Sequence, residues 1–186
     1  MKKDLNLETI VNIIIIVLGI GLIIYPWIGE MPTINLFHYL LGMFTGLKFV
    51  EYVAQEDCSD KENLYVAIAS GIVPFLSIIK FPDVAMLLPL SILTWVSLLA
   101  VVKLIKIDYL HDRGLEFYKV KLYGSIFFII LGILTSYSLH FIKTGQTIII
   151  GFFIIVMGLL DLFKDHVEVY LSKSIKKKTS KTKKNK

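Results

Sequence analysis

The chain has 186 residues, 55% hydrophobic and 19% charged, with a mean hydropathy of +0.71 and a net charge of +5. A soluble domain is roughly 45–50% apolar and about 25% charged, so one soluble core of this size could not hide the excess. The same balance excludes intrinsic disorder, and a single cysteine, Cys58, excludes a disulfide-stapled module, leaving a one-domain integral membrane protein.

A spanning helix needs about 20 mostly apolar residues, and six stretches approach that length. The first runs from Ile10 to Ile28 behind Lys2 and Lys3. It is longer than the usual h-region of about 7–15 residues in a signal peptide and has no small-x-small cleavage site, so it reads as a retained helix. Tyr25 and Trp27 at its end read as interfacial anchors. The second stretch, Leu36 to Val53, contains Lys48 and Glu51. An acidic loop, Gln55 to Glu62, follows and holds Cys58, which has no partner and reads as a bystander on the reducing side.

The third stretch is Leu64 to Ile79 and the fourth Val84 to Val102, with Pro74 and Pro89 inside them. A charged connection to Lys121 then leads into the fifth stretch, Leu122 to Ile142, and the sixth, Thr147 to Phe163. Lys80 and Lys164 flank the shorter third and sixth runs and can extend them by snorkelling. The runs are continuously apolar rather than alternating, which favours helices over strands. Pro32, Pro82 and Gly145 supply tight turns between the members of each pair.

Eight lysines and no acid fill Lys173 to Lys186, whereas the preceding residues set twelve basic against fifteen acidic groups, a net −3. Lysines next to a bilayer are attracted to anionic lipid by about 1 kcal/mol each. The tail therefore predicts disorder and anionic-lipid contact, and recruitment of an acidic partner protein is the sharper alternative. Nucleic-acid binding, which wants basic and aromatic residues interleaved on a folded surface, is not expected. Counted by side, seventeen Lys and Arg fall with the termini and two, Lys80 and Lys143, on the opposite side. This predicts an N-in, C-in topology in a plasma membrane.

The expected fold is thus an all-α integral membrane bundle of six transmembrane helices, arranged as three hairpin repeats at about 10–54, 63–102 and 121–164. Residues 1–172 form the membrane domain and 173–186 the tail. Leu18-Gly19-Ile20, Gly71 and Leu131-Gly132-Ile133 recur early in the three hairpins, and Gly46 and Gly158 late in the return helices of the outer two. Six helices in this length, these Leu-Gly-Ile motifs and Gly158-Leu159-Leu160-Asp161 resemble the HdeD family of bacterial inner-membrane proteins. The resemblance covers Ile10 to about Phe163. It implies an inner-membrane protein without an established reaction, associated in its namesake with acid resistance. The middle hairpin lacks the Gly-x-x-Asp ending, and the lysine tail is not a family hallmark.

Lys48 and Glu51 are the least expected residues, because a charge at a helix centre costs about 2.5–3.5 kcal/mol on insertion scales. At 100° per residue, His38, Thr45, Lys48 and Tyr52 fall within an arc of about 80°, with Glu51 roughly 60° beyond. One reading is a polar stripe lining a path for protons, ions or a small solute. The other, which outweighs it, is a Lys48–Glu51 pair at i,i+3 that neutralises itself. Asp161 superposes on Lys48 when the outer hairpins are aligned, which suggests a bridge between them; hydration beside Lys164 and Asp165 is the plainer reading.

Gly42-x-x-x-Gly46, Ala67 with Gly71, Gly132 and Gly158 are expected to pack helix against helix, within the chain more readily than in a homo-oligomer. Asp108, His111, Asp112 and Glu116 match no metal motif and read as a solvated helix end, so no metal or cofactor is expected. His140 and His166 are given no role. No nucleophile elbow, zinc-protease helix or phosphate loop is present, which argues against an enzyme. The expected function is a non-enzymatic membrane role of the HdeD kind, related to stress or acid resistance, with the lipid bilayer as partner and a homo-oligomer left open. The competing class is a small-solute, ion or proton transporter, channel or substrate-binding subunit using His38, Lys48, Glu51 and Asp161.

Overall fold

A computed structural model describes residues 7–54, 61–80, 84–112, 118–142 and 145–163, with side chains described except at 76–80 and 84–86. Residues 55–60 of the acidic loop, with Cys58, and Glu116, Lys164, His166 and the tail 173–186 lie outside these residues. Helix α1 is Leu7–Ile24, α2 Thr33–Val53, α3 Glu62–Lys80, α4 Val84–Asp112, α5 Tyr118–Phe141 and α6 Gln146–Phe163. The protein is all-helical, with no strand among the described residues. Four helical segments are long and apolar enough to cross a membrane: Leu7–Trp27, Leu87–Asp112, Tyr118–Phe141 and Gln146–Phe163.

Two boundaries differ from the sequence reading. Residues Tyr25–Trp27 leave the α1 helix as a 3-10 turn, because Pro26 has no N–H to continue the ladder and follows directly on Tyr25. Helix α4 continues ten residues beyond Val102, where the charged stretch reads as loop. Ile107 and Leu110, buried one turn apart, give this extension an apolar face that the surrounding charges conceal. At 29 residues α4 is about 43 Å long, longer than the roughly 30 Å hydrocarbon core.

Close approach of backbones fixes the neighbours. A Cβ built on Gly19 of α1 would lie 2.9 Å from the Gly151 carbonyl oxygen of α6, and one on Gly151 would lie 2.7 Å from the Gly19 carbonyl oxygen. Two turns further along, Gly158 faces Ile16 and the Asn12 carbonyl oxygen, so α1 and α6 run antiparallel in backbone contact. Gly132 of α5 receives Val96 of α4, and Gly71 of α3 faces Thr45 of α2. Chain reversal before α6 uses Gly145 at φ +78°, a left-handed conformation that glycine adopts without strain.

The core is an aromatic cluster around Trp95 of α4, which is fully buried. Phe37 and Phe44 of α2 and Phe153 of α6 meet its ring edge-on at 5.9, 5.6 and 6.0 Å, and Phe128 of α5 stacks on Phe153 at 5.8 Å. Edge-to-face pairs add about 0.5–1.5 kcal/mol each beyond area burial. The indole N–H, which burial would otherwise leave unsatisfied, donates to Ser70 Oγ of α3 at 2.9 Å.

Candidate functional site at the charged end of the bundle

The singled-out charges gather where α2 and α6 end and α3 begins. On α2, the inward face reads Phe37, Leu40, Leu41, Phe44, Lys48 and Glu51, so the two charges continue a core-facing stripe. Lys48 Nζ donates to Glu51 Oε2 at 2.8 Å, with side chains only 8% and 2% exposed. Asn63 Nδ2, in the first turn of α3, donates to Glu51 Oε1 at 2.9 Å. Both carboxylate oxygens are thus occupied, and the buried cation has its counter-ion one helical turn away. Removing an ion from water costs several kcal/mol, and only such pairing with hydrogen bonding offsets it.

Two looser pairs extend the cluster. Lys103 Nζ of α4 reaches Asp161 Oδ1 of α6 at 3.2 Å and lies 5.5 Å from the Phe128 ring centroid. Lys106, one turn further along α4, approaches Glu62 Oε2 of α3 at 3.8 Å. The two lysines are three residues apart on one face of the α4 extension and so tie it to α6 on one side and α3 on the other. Exposure grades from Glu51 outward to Asp161 at 19% and Glu62 at 24%.

Two expectations are corrected. Asp161 does not bridge to Lys48: it pairs with Lys103, and Lys48 turns back to Glu51 on its own helix. The superposition matched depth along the two helices but carried no information on which face each side chain takes. Gly42 and Gly46 do not pack within the chain; a Cβ on either would meet nothing within 4 Å, because they share the outward face of α2 with Tyr39, Met43 and Val50. Gly71, Gly132 and Gly158 do face neighbouring helices. Tyr25 is half-buried: its ring covers Gly29 and its hydroxyl accepts the Met31 N–H at 2.9 Å.

Of the remaining stripe residues, Thr45 sits at the α2–α3 crossing with its hydroxyl oxygen buried, and Tyr52 is half-buried near the end of α2. His38 is half-buried beside Phe37, nearly three turns from Lys48, and does not join the cluster. His140 is exposed against Phe141, and His111 faces Tyr118 at 4.7 Å across the α4–α5 connection. Among the described residues, no three His, Cys, Asp or Glu side chains are grouped to hold a metal. Lys103, Lys106, Asn63 and Ser70 were missed as partners. Only the i,i+3 spacing of Lys103 and Lys106 hinted at a shared face.

Fold and site together define an all-helical protein with four helices suited to cross a membrane and a mutually neutralised charge cluster at one end. No family model, curated protein or solved structure matches the chain.

Proposed function

We propose that this chain is a non-enzymatic, multi-pass membrane protein of six spans, N-in and C-in, whose membrane-embedded charges hold the bundle together rather than carry a solute. The observation that bears most on this is the 2.8 Å contact between Lys48 and Glu51, completed by Asn63. A permeation path needs embedded charges that face a route for ions, whereas here each has a protein counter-charge. Around Trp95, the centre of the bundle is filled by aromatic rings contributed by α2, α4, α5 and α6.

The six-span reading draws on the outward faces of α2 and α3. Tyr39, Met43, Phe49, Val50 and Val53 point outward from α2, and Tyr65, Ile68, Ile72 and Phe75 from α3. That is the surface hydrocarbon would meet, and Lys48 and Glu51, the two charges that lower the average hydropathy of α2, face inward. The charged end, with seventeen of the Lys and Arg on its side, is the cytoplasmic one under the positive-inside rule.

The hairpin-repeat reading draws support from the glycine contacts. Gly71 and Gly132, early in the second and third hairpins, each face the return helix of the preceding hairpin, and Gly19 of the first faces the return helix of the last. This cyclic pattern fits three like units closed into a ring. The HdeD resemblance, carried by Leu18-Gly19-Ile20, Leu131-Gly132-Ile133 and the Gly158–Asp161 segment, makes acid stress the physiological setting to test first.

The test is proton and small-ion flux in proteoliposomes holding wild type, Lys48→Met or Glu51→Gln. The proposal expects flux at the level of protein-free vesicles in all three. Wild-type flux abolished by either substitution, in protein that still folds, would assign the polar stripe to transport.

A further inference from the structure

The α1–α2 connection ends in two side chains that the bundle leaves out. Ile28 and Trp27, at 78% and 74% exposure, are the most exposed large apolar residues among those described. The backbone beside them is tied by a set of local hydrogen bonds. The Tyr25 carbonyl oxygen accepts the Ile28 and Gly29 N–H groups at 2.9 Å each, and the Tyr25 hydroxyl accepts the Met31 N–H. The Tyr25 ring lies over Gly29, where a Cβ would overlap it. Pro26 presets the turn, and Pro32 accepts the Asn35 and Leu36 N–H groups as α2 starts. Tyr25 thus braces a stiff knuckle with Trp27 and Ile28 at its tip.

We propose that this knuckle is a lipid-interface anchor, with Trp27 seated at the ester-carbonyl level of the leaflet into which the α1–α2 connection opens and Ile28 directed toward the acyl chains. The occupant follows from continuity. Val17, Ile20, Ile24 and Trp27 are all exposed and recur at helical spacing, so the tip extends the outward stripe of α1 itself. Charge narrows the lipid class: between Tyr25 and Leu47 the only Asp, Glu, Lys or Arg is Glu30, so nothing in the knuckle attracts an anionic headgroup. Indole suits this depth because its ring is apolar and its N–H can donate to an ester carbonyl. A stiff anchor at the end of α1 also fixes how deep that helix sits.

The inference rests on the membrane reading, and tryptophan fluorescence separates the two. The chain has two tryptophans, so Trp95→Phe leaves Trp27 as sole reporter. Reconstituted in zwitterionic phosphatidylcholine, Trp27 is quenched more by lipid brominated near the start of the acyl chain than near its end. Aqueous iodide quenches it several-fold less than free tryptophan. Adding anionic phosphatidylglycerol leaves both unchanged. If Trp95→Phe does not fold, the difference between wild type and Trp27→Phe isolates the same signal.

Val17→Trp, placed in the Trp27→Phe/Trp95→Phe background, reports on α1 alone and is quenched most by the deep bromines. Iodide quenching of Trp27 equal to free tryptophan, with Val17→Trp still quenched by deep bromines, overturns the anchor alone. Failure of both reporters to sense bromine overturns the membrane reading together with the anchor.

Discussion

Helices α1 and α2 are neighbours of similar length that meet the rest of the molecule in opposite ways. Apolar almost throughout, α1 contacts α6 through backbone, with glycines on both sides of the seam. Its counterpart α2 carries His38, Thr45, Lys48 and Glu51 and contacts its neighbours through side chains, burying both charges. Only α1 reads by composition as a helix suited to cross a membrane. An average over all residues mixes the surface a bilayer would touch with the surface the bundle covers. On α2 these differ so much that the outward face is the more apolar of the two in charge.

The comparison can be broken most forcefully at the side-chain contacts. Trp95→Ala removes the ring that Phe37 and Phe44 of α2 surround and leaves Ser70 without its donor. A loss of about 3–5 kcal/mol is expected, read as a lowered midpoint of denaturant-induced unfolding in detergent. The α1 seam is tested by Gly151→Ala, whose methyl would sit 2.7 Å from a backbone carbonyl that cannot rotate away. A cost of about 1–3 kcal/mol follows, measurable as a fall in Tm. Gly42 offers no such obstacle.

Smaller effects sharpen the picture. Asp161→Asn weakens a pair that is partly exposed, 13% and 19%, and should cost about 1 kcal/mol or less. Raising the salt concentration should shrink the Tm difference between this variant and wild type. Gly46→Ala, on the outward face of α2, should leave Tm unchanged or raise it slightly, since a helical glycine costs roughly 0.5–1 kcal/mol relative to alanine. A marked loss of stability there would place a second copy of the chain against α2.

Much of this was legible in the sequence where a local rule sufficed. Apolar runs located the helices to within a few residues except at the far end of α4, and the i,i+3 spacing of Lys48 and Glu51 allowed the pair that forms. What failed needed three-dimensional information. Gly42-x-x-x-Gly46 marks a smooth helix face without saying whether protein covers it. The partner of Asp161 is 58 residues away on α4, on an extension whose charges disguised it as loop. Tyr25 and Trp27 are equally amphipathic, and only the 3-10 turn shows one half-buried over Gly29 and the other exposed.

The account stands most directly on the claim that Lys48 and Glu51 stabilise the bundle as a pair, and a double-mutant cycle measures that. Glu51→Leu alone leaves a buried ammonium without its counter-ion and should cost about 3–5 kcal/mol, whereas Lys48→Met/Glu51→Leu should recover most of it. Single variants as stable as wild type, with a coupling energy near zero, would mean that the two charges are hydrated independently and would contradict the account.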